Sequence, residues 1–409
     1  MVASGTRPFV RPREAVTLAC AGVAISVSQF LLIREFTSLL YGEELVIVTV
    51  TACCFAAMSL GYAWAARAAL ARLRGALALA TLAQLAFPTM TRVAAAGLSE
   101  LRFAGIWLLG LLIVHALVFA TPLAAVLPGL LDRARGAAPA LDPAARVARL
   151  RRCYTAELVG FALGLVLLTA CFSRAPALLL SIHWALLVLL LGLVGVGWRA
   201  GVGVGLVALA VACALPQLLP ASARTVYQFK HGLGPCEVRL SIDSPYQRVE
   251  VVDHPQRGRY LYLDGLQNLN ARDLQALNHY LTRVPAELLR PRAALIIGNG
   301  TMSSAELLAG LSGQVTSVEL DPGVLRAGAR HFVDPRRLGR LDNWSLHVED
   351  GKQFLARTAR RYELIIIDVP SPLTVQEAFM HTRELYALAR RRLAPGGVLS
   401  VQLSGELAA

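Results

Sequence analysis

Long uncharged apolar segments fill most of the first 223 residues of this 409-residue chain. A helix needs roughly 20 mostly apolar residues to cross the hydrocarbon core of a bilayer. Seven runs approach or exceed that length, at residues 15–33, 45–66, 75–91, 103–131, 158–173, 175–198 and 200–223. They predict a multi-span α-helical membrane domain over residues 1–223 with about seven spans. Counts of six or eight stay open, since Arg199 alone separates the last two runs.

The charged residues are divided unevenly between the two halves. Residues 1–220 contain 17 arginines, no lysine and 8 acidic residues, a net charge of +9 (17 − 8). Residues 221–409 contain 23 basic and 19 acidic residues, a net charge of +4 (23 − 19). Arginine-rich loops between apolar segments are typical of membrane proteins, where they fix orientation and contact anionic headgroups. The C-terminal half has no basic run interleaved with aromatic residues, so we expect the lipid bilayer and no nucleic acid as a partner.

Several polar side chains fall within or at the edge of the apolar runs, namely Gln29, Gln84, His115, Glu157 and His183. Ionisable residues inside a membrane are candidates for a transport or ligand role, and the alternative is hydrogen bonding between helices. Gly160 and Gly164 form a G-x-x-x-G spacing that favours close helix packing. The seven cysteines form no C-x-x-C pair, so we expect neither a disulfide framework nor a metal site.

The C-terminal half begins with a different pattern. Residues 247–252 and 259–264 alternate between apolar and polar side chains, and a glycine turn follows at Gly265. This alternation predicts a small antiparallel β unit within residues 224–285. A helix is predicted over residues 273–285, ending at Pro285.

From residue 286 to residue 409, strands alternate with helices. Predicted strands lie at 294–297, 314–319, 344–348 and 364–368, and a fifth begins at Gly396. The helices include one from Pro322 and one over 376–392. This alternation predicts βαβ units and a parallel sheet, hence a Rossmann-like α/β domain of the methyltransferase type.

Polar and glycine residues follow three successive strands of that predicted sheet. The first strand ends in Gly298 and Gly300, the second in Glu319, and the third runs into Asp350 and Gly351. Glycines at a strand-to-helix turn let a ligand approach the backbone, a carboxylate about 20 residues on can accept ribose hydroxyls, and a further carboxylate can reach an adenine amino group. The set therefore indicates an adenosyl nucleoside site, although the same residues also suit plain turns.

An ordered series of short motifs resembles the polyamine aminopropyltransferases, the spermidine synthase family. The series consists of Ser244-Pro245-Tyr246-Gln247, Leu263-Asp264-Gly265, Arg272-Asp273, Val284-Pro285, Ile296-Ile297-Gly298, Val318-Glu319-Leu320-Asp321, Asp350-Gly351, Thr382-Arg383-Glu384 and Pro395-Gly396-Gly397. The N-terminal half looks like that of a membrane-attached branch of this family. Its features are a QxLLxREF-like segment, here residues 29–36, and a Tyr-x-x-Glu, here Tyr154 to Glu157.

The resemblance implies transfer of an aminopropyl group from decarboxylated S-adenosylmethionine, a co-substrate, to a diamine or related amine, with no tightly bound cofactor. It implies donor binding by Gln247, Gly298, Gly300, Glu319, Asp350 and Gly351. Asp368 stands at the first acid of the family's Asp-x-x-Asp pair, and Ser371 replaces the second, which is the family's base. On the acceptor side, Thr301 replaces an aspartate, Asn278-His279 replaces a His-Glu pair, and Asp273 is retained.

Several alternatives follow from these departures. The domain could bind a nucleoside as a sensor or structural partner without transfer, act as an S-adenosylmethionine-dependent methyltransferase, or regulate a transporter. We expect a multi-pass protein of the cell membrane, in bacteria the inner membrane, and a homo-oligomer stays open. The arginine bias places the N-terminus inside, so seven spans would place the C-terminal domain outside the cytoplasm, although an adenosyl co-substrate favours the inside. The family's sheet continues beyond residue 402, so we expect a C-terminally short domain.

Overall fold

A computed structural model describes residues 11–137, 143–172, 176–370 and 378–402. The chain divides into two compact units, residues 1–234 and residues 235–409. In the described residues the first unit contains helices and no strand, and the second contains two β-sheets with helices.

Nine helices form the first unit. They are α1 (Pro12–Leu40), α2 (Glu43–Ala65), α3 (Leu70–Ala86), α4 (Thr89–Ser99), α5 (Ala104–Ala124), α6 (Val126–Ala137), α7 (Pro143–Cys171), α8 (Pro176–Val194) and α9 (Trp198–Thr225), among the described residues. A π-helical turn, Val226–Lys230, continues α9. Five helices are long and apolar enough to cross a membrane, or six if the α3–α4 pair, bent by 73°, counts as one broken span. Helix α8 is apolar but shorter, and the count of seven spans stays a prediction.

Close packing between α1 and α7 depends on glycine, as the G-x-x-x-G spacing predicted. A Cβ on Gly160 would lie 2.1 Å from the carbonyl oxygen of Ala19, and one on Gly164 would lie 1.9 Å from Ser26 Oγ. Gly22 of α1 is equally confined, because its Cβ would lie 2.0 Å from the Glu157 carbonyl oxygen. The two backbones therefore touch over several turns, and residue numbers rise along both helices in the same direction.

Polar contacts identify the two ends of the helical unit. At the start of α1, Arg13 donates a hydrogen bond to the Leu193 carbonyl oxygen (3.2 Å) at the end of α8. Near the end of α1, Glu35 pairs with Arg92, which also donates to the Leu219 carbonyl oxygen (3.4 Å) near the end of α9. The end of α9 therefore lies beside the end of α1, so the chain enters and leaves this unit at opposite ends.

A four-stranded antiparallel sheet opens the second unit and confirms the predicted β unit. Its strands are β1 (Glu237–Asp243), β2 (Arg248–His254), β3 (Gly258–Leu263) and β4 (Leu266–Asn270), in the order β1-β2-β3-β4. Helix α10 (Leu274–Asn278), a π-helical turn (His279–Arg283) and α11 (Val284–Leu289) follow without a break. The prediction that this helix ends at Pro285 is wrong. Pro285 lies in the first turn of α11, where a missing N–H costs little.

A five-stranded parallel sheet forms the rest of the unit and confirms the Rossmann-like prediction. Its strands are β5 (Ala293–Gly298), β6 (Gln314–Glu319), β7 (Trp344–Val348), β8 (Tyr362–Asp368) and β9 (Leu393–Val401), in the order β7-β6-β5-β8-β9. The central strands β5 and β8 are apolar and almost wholly buried, as expected of a sheet covered on both faces.

The helices of this sheet are α12 (Ser303–Ala309), α13 (Pro322–His331), α14 (Pro335–Leu338), α15 (Gly351–Arg357) and α16 (Arg383–Arg392). Within the helix predicted over residues 376–392, a 3-10 turn (Phe379–His381) precedes the α-helix that begins at Arg383. Thr382 caps it, because its side chain accepts a hydrogen bond from the Leu385 N–H and its backbone is extended. Residues 376 and 377 lie outside the described residues.

Candidate active site

The predicted strand-end residues meet at one edge of the parallel sheet. Strand β5 lies at the centre, and the chain order runs away from it in both directions, so a topological switch point falls between β5 and β8. Gly298 pairs with Asp368 across these strands. Glu319 ends the strand on the other side of β5, and Asp350 follows the next strand outward. Ligands of open α/β sheets bind in the crevice outside the carboxyl ends of the strands at such a point.

The turn after β5 requires glycine for its own packing. Gly298 has a φ of +88°, and a Cβ there would lie 2.1 Å from the Asp368 carbonyl oxygen. A Cβ on Gly300 would lie 2.2 Å from Val324 Cγ1 of α13 and 3.3 Å from Glu319 Oε2. These glycines hold α13 and the acids close together, and their predicted contact with a nucleoside stays a prediction.

The Glu319 carboxyl group is partly buried among other acids. Desolvation raises its pKa to about 7, and the Asp321 and Asp368 carboxylates contribute to the rise. Its Oε1 accepts the Asp321 N–H at 2.9 Å. No cation pairs with Glu319 in the part of the chain that the structure describes. Its second oxygen, Oε2, faces the turn at Gly300, where a ligand hydroxyl could donate to it.

Asp368 is held by an asparagine that the sequence reading missed. Asn299 donates to Asp368 Oδ2 at 2.6 Å and to Ser304 Oγ at 2.8 Å, and Ser304 in turn donates to Asn278 Oδ1 at 3.0 Å. Desolvation raises the pKa of Asp368, and the hydrogen bond from Asn299 opposes the rise. The available signal was an asparagine between two glycines, because asparagine tolerates the left-handed φ of +62° found here.

Two further donor-site candidates are engaged in local contacts. Gln247 Nε2 donates to Asp321 Oδ2 at 3.0 Å, and Ser244 Oγ donates to the same oxygen at 2.8 Å. Asp350 accepts the Gln353 N–H at 2.9 Å and so caps α15, which Gly351 begins. Asp321 was absent from the predicted site. Its side chain accepts from Ser244 and Gln247 in the turn before β2, and its N–H donates to Glu319.

The acceptor-side candidates are dispersed. Thr301 is buried, and its hydroxyl lies 3.0 Å from Ser303 Oγ. His279 lines a cleft of about 1050 Å³ together with Asn278 and Ser303. Asp273 lies exposed before α10, and no hydrogen bond or ion pair joins it to Asp368 within the described residues. Ser371 lies outside the described residues.

Comparison with known proteins agrees with this architecture. Residues 275–407 match the family model described as the spermine/spermidine synthase domain. The polyamine aminopropyltransferase of Thermoplasma volcanium is 29% identical over 166 residues, which cover 40% of this chain and 60% of that protein. That of Mycobacterium tuberculosis is 34% identical over 166 residues, covering 39% of this chain but 31% of that protein. The chain thus spans well under two thirds of these relatives.

Among solved structures, one titled as a spermidine synthase in complex with the transition state analogue AdoDATO aligns with a TM-score of 0.38 and 23% identity. The alignment covers 40% of this chain and 57% of that chain.

The parallel sheet with a switch point beside its central strand places this unit among the open α/β domains, which bind ligands at that edge. The family match is more specific. Within the C-terminal unit, residues 275–407 are similar to the spermine/spermidine synthase domain, and the matched relatives are named polyamine aminopropyltransferases.

Proposed function

We propose that the chain is a membrane-bound aminopropyltransferase that moves the aminopropyl group of decarboxylated S-adenosylmethionine to an amine. The observation that carries the proposal is the meeting of Glu319 and Asp368, both partly buried, at the strand ends beside the Gly298–Gly300 turn. In this arrangement Glu319 accepts the ribose hydroxyls of the donor, and Asp350 accepts from its adenine amino group. Gln247 is held near these acids by its hydrogen bond to Asp321.

The reaction is a displacement at carbon. The lone pair of a neutral acceptor amine attacks the propyl carbon attached to the sulfonium sulfur, the N–C bond forms and the C–S bond breaks. Methylthioadenosine leaves as a neutral thioether. The attacking nitrogen loses one proton, and Asp368 receives it as the general base, a role that suits a carboxyl group with a raised pKa.

The helical unit supports a membrane location, since five of its helices are long and apolar enough to span. Arg13 at the start of α1 and Arg74 in the first half of α3 lie at one end of the unit, where both donate to the last carbonyls of α8. We place this end at the headgroups of one leaflet.

A second function, nucleoside binding without transfer, is favoured by the acceptor side. Thr301 and His279 supply no carboxylate there, which weakens attraction for a dication.

Methylthioadenosine release distinguishes the two. Purified full chain in detergent is incubated with decarboxylated S-adenosylmethionine and putrescine or other amines, and methylthioadenosine is quantified by mass spectrometry. The proposal expects release that depends on the amine and is lost in Asp368→Asn. Binding of methylthioadenosine without any release supports the second function, and release of S-adenosylhomocysteine from S-adenosylmethionine would indicate a methyltransferase instead.

A further inference from the structure

The interior of the helical unit contains polar atoms without partners. Among the described residues, four buried side-chain nitrogen or oxygen atoms lack a hydrogen-bond partner, namely Gln84 Nε2, His183 Nδ1, Glu157 Oε1 and Arg149 Nε. All four belong to the helical unit. An unpartnered polar atom is costly in a hydrocarbon surrounding, so atoms of this kind indicate water or a ligand that they bind.

The first polar position is the carboxyl group of Glu157 on α7. Its side chain is 4% exposed, Tyr62 of α2 donates to Oε2 at 3.4 Å, and Oε1 has no partner. Arg149, two turns earlier on α7, pairs with Glu14 of α1 at 3.1 Å. Within the described residues no cation pairs with Glu157. A buried carboxyl group in this position binds a proton or a small cation.

The second polar position joins three helices. Gln84 Oε1 of α3 accepts from Ser28 Oγ of α1 at 2.7 Å and lies 2.8 Å from His183 Nε2 of α8. Trp184 donates to the Gln84 carbonyl oxygen. With Gln84 Oε1 facing it, His183 Nε2 carries the ring proton and Nδ1 is an acceptor. Exchanging the amide oxygen and nitrogen of Gln84 moves the ring proton to Nδ1, and in both arrangements Nδ1 has no hydrogen-bond partner among the described residues.

The polar positions are spaced along α1 from end to end. Glu14, Gly22 beside Glu157, Ser28 and Glu35 follow one another along the helix, and Glu35 pairs with Arg92 at 2.6 Å. From residue 14 to residue 35 the helix rises about 31 Å, at about 1.5 Å per residue. This length equals the hydrocarbon thickness of a bilayer, about 30 Å. Polar groups on α1 or on the helices packed against it therefore occur at intervals along this length.

We propose that the helical unit conducts protons along α1, with Glu157 and His183 as the groups that bind and release them. A proton needs a single lone pair, which is what Glu157 Oε1 and His183 Nδ1 each offer, whereas a metal cation needs several oxygens. At the Glu14 end, a hydronium ion transfers a proton to the Glu157 carboxylate, so that one of its O–H bonds breaks, the carboxyl O–H bond forms and a water molecule is left. The carboxyl O–H bond then breaks as water relays the proton to His183 Nδ1, and the imidazolium gives it up to water on the side of Glu35.

Proton flux into vesicles tests this inference, which rests on the proposed membrane location. The full chain is reconstituted into liposomes that hold a pH-sensitive dye, and a potassium diffusion potential is imposed with valinomycin. Flotation of the vesicles with bound protein verifies insertion separately, and loss of aminopropyl transfer would leave the flux unaffected. The expected result is a lumenal pH change faster than in protein-free vesicles, abolished in Glu157→Gln and retained in Glu44→Gln, a matched change at an exposed position of α2.

Infrared spectroscopy gives a second measurement on the same samples. A protonated carboxyl band that is present in the wild type near neutral pH and missing in Glu157→Gln would support proton binding there. If Glu157→Gln does not fold, His183→Phe takes its place and should also abolish the flux. Flux equal to that of protein-free vesicles in floated wild-type samples, or equal flux in wild type and variant, would overturn the proposal.

Discussion

The proposed contact between Glu319 and the ribose would make nucleoside binding depend on pH. The pKa of the Glu319 carboxyl group lies at about 7, raised by desolvation from an ordinary value of 4.5. The ionised form accepts both ribose hydroxyl hydrogens, whereas the protonated form gives up acceptor capacity. With this pKa, the ionised fraction rises about tenfold between pH 6 and pH 8, so the dissociation constant for methylthioadenosine should fall about tenfold over that interval.

The same group affects folding in the opposite direction. Folding raises its pKa, so the folded state binds the proton more tightly than the unfolded state, and stability falls as pH rises from about 4.5 to about 7. The shift corresponds to at most about 3 kcal/mol. Glu319→Gln cannot ionise. Without ligand at pH 8, it should therefore melt at a higher temperature than the wild type while binding the nucleoside more weakly.

Calorimetry with methylthioadenosine and ligand-free thermal melting check both effects. At pH 8 we expect Glu319→Gln to lose about 1–3 kcal/mol of binding free energy and to show no dependence on pH between 6 and 8. Glu287→Gln, an exposed change on α11, should match the wild type in both assays. Wild-type binding that is flat with pH, or unchanged binding in Glu319→Gln, would refute the assignment of this acid to the ribose.

Three further predictions concern both units. Gly160→Ala should destabilise the helical unit by about 1–3 kcal/mol, since the added methyl clashes with α1. Gly110→Ala should not, because its methyl meets nothing within 4 Å. Equal melting temperatures of the two variants in detergent would contradict this. Cysteine labelling from either side of the membrane should find the start of α1 and residue 235 on opposite sides, and labelling of both from one side would contradict an odd number of passes. Asn299→Ala should move the pH profile of methylthioadenosine release upward, since it removes a donor to Asp368 that opposes the rise in pKa; an unmoved profile would argue against Asp368 as base.

The strand ends of the C-terminal unit were predictable because parallel strands end at one edge. A sequence in which each strand is an apolar run therefore also predicts which residue ends that strand. Gly298, Glu319 and Asp368 were correctly predicted to lie at strand ends. The hydrogen bonds that orient these groups were not predictable in the same way. Asn299 reaches Asp368 across 69 positions of sequence, and Asp321 reaches Ser244 across 77.

The helical unit shows a similar limit. Apolar runs predict helices because the hydropathy of each residue can be taken from the sequence alone. Among the described residues, each of the seven runs lies mainly in a helix, although the run at 75–91 is broken between α3 and α4 and the run at 103–131 covers both α5 and α6. The sequence of one helix does not show which other helix it packs against. Glu35 and Arg92 form a buried pair from separate helices, although each lies within two residues of the end of an apolar run of the sequence. Glycine spacing was an exception, since small residues at i and i+4 predict close contact without naming the partner.

The charge balance of the proposed transfer favours Asp368 as the base. Before reaction the site holds a positive sulfonium, a negative Asp368 and a neutral amine; afterwards it holds a neutral thioether, a protonated Asp368 and a neutral product amine. An ion pair in a partly buried site is thereby replaced by neutral groups, and the raised pKa of Asp368 helps the carboxyl group to keep the proton. Asp368→Asn keeps the shape and the hydrogen bond with Asn299 but cannot take a proton. Methylthioadenosine should bind to this variant as to wild type while its turnover is lost, and retained turnover would require another base.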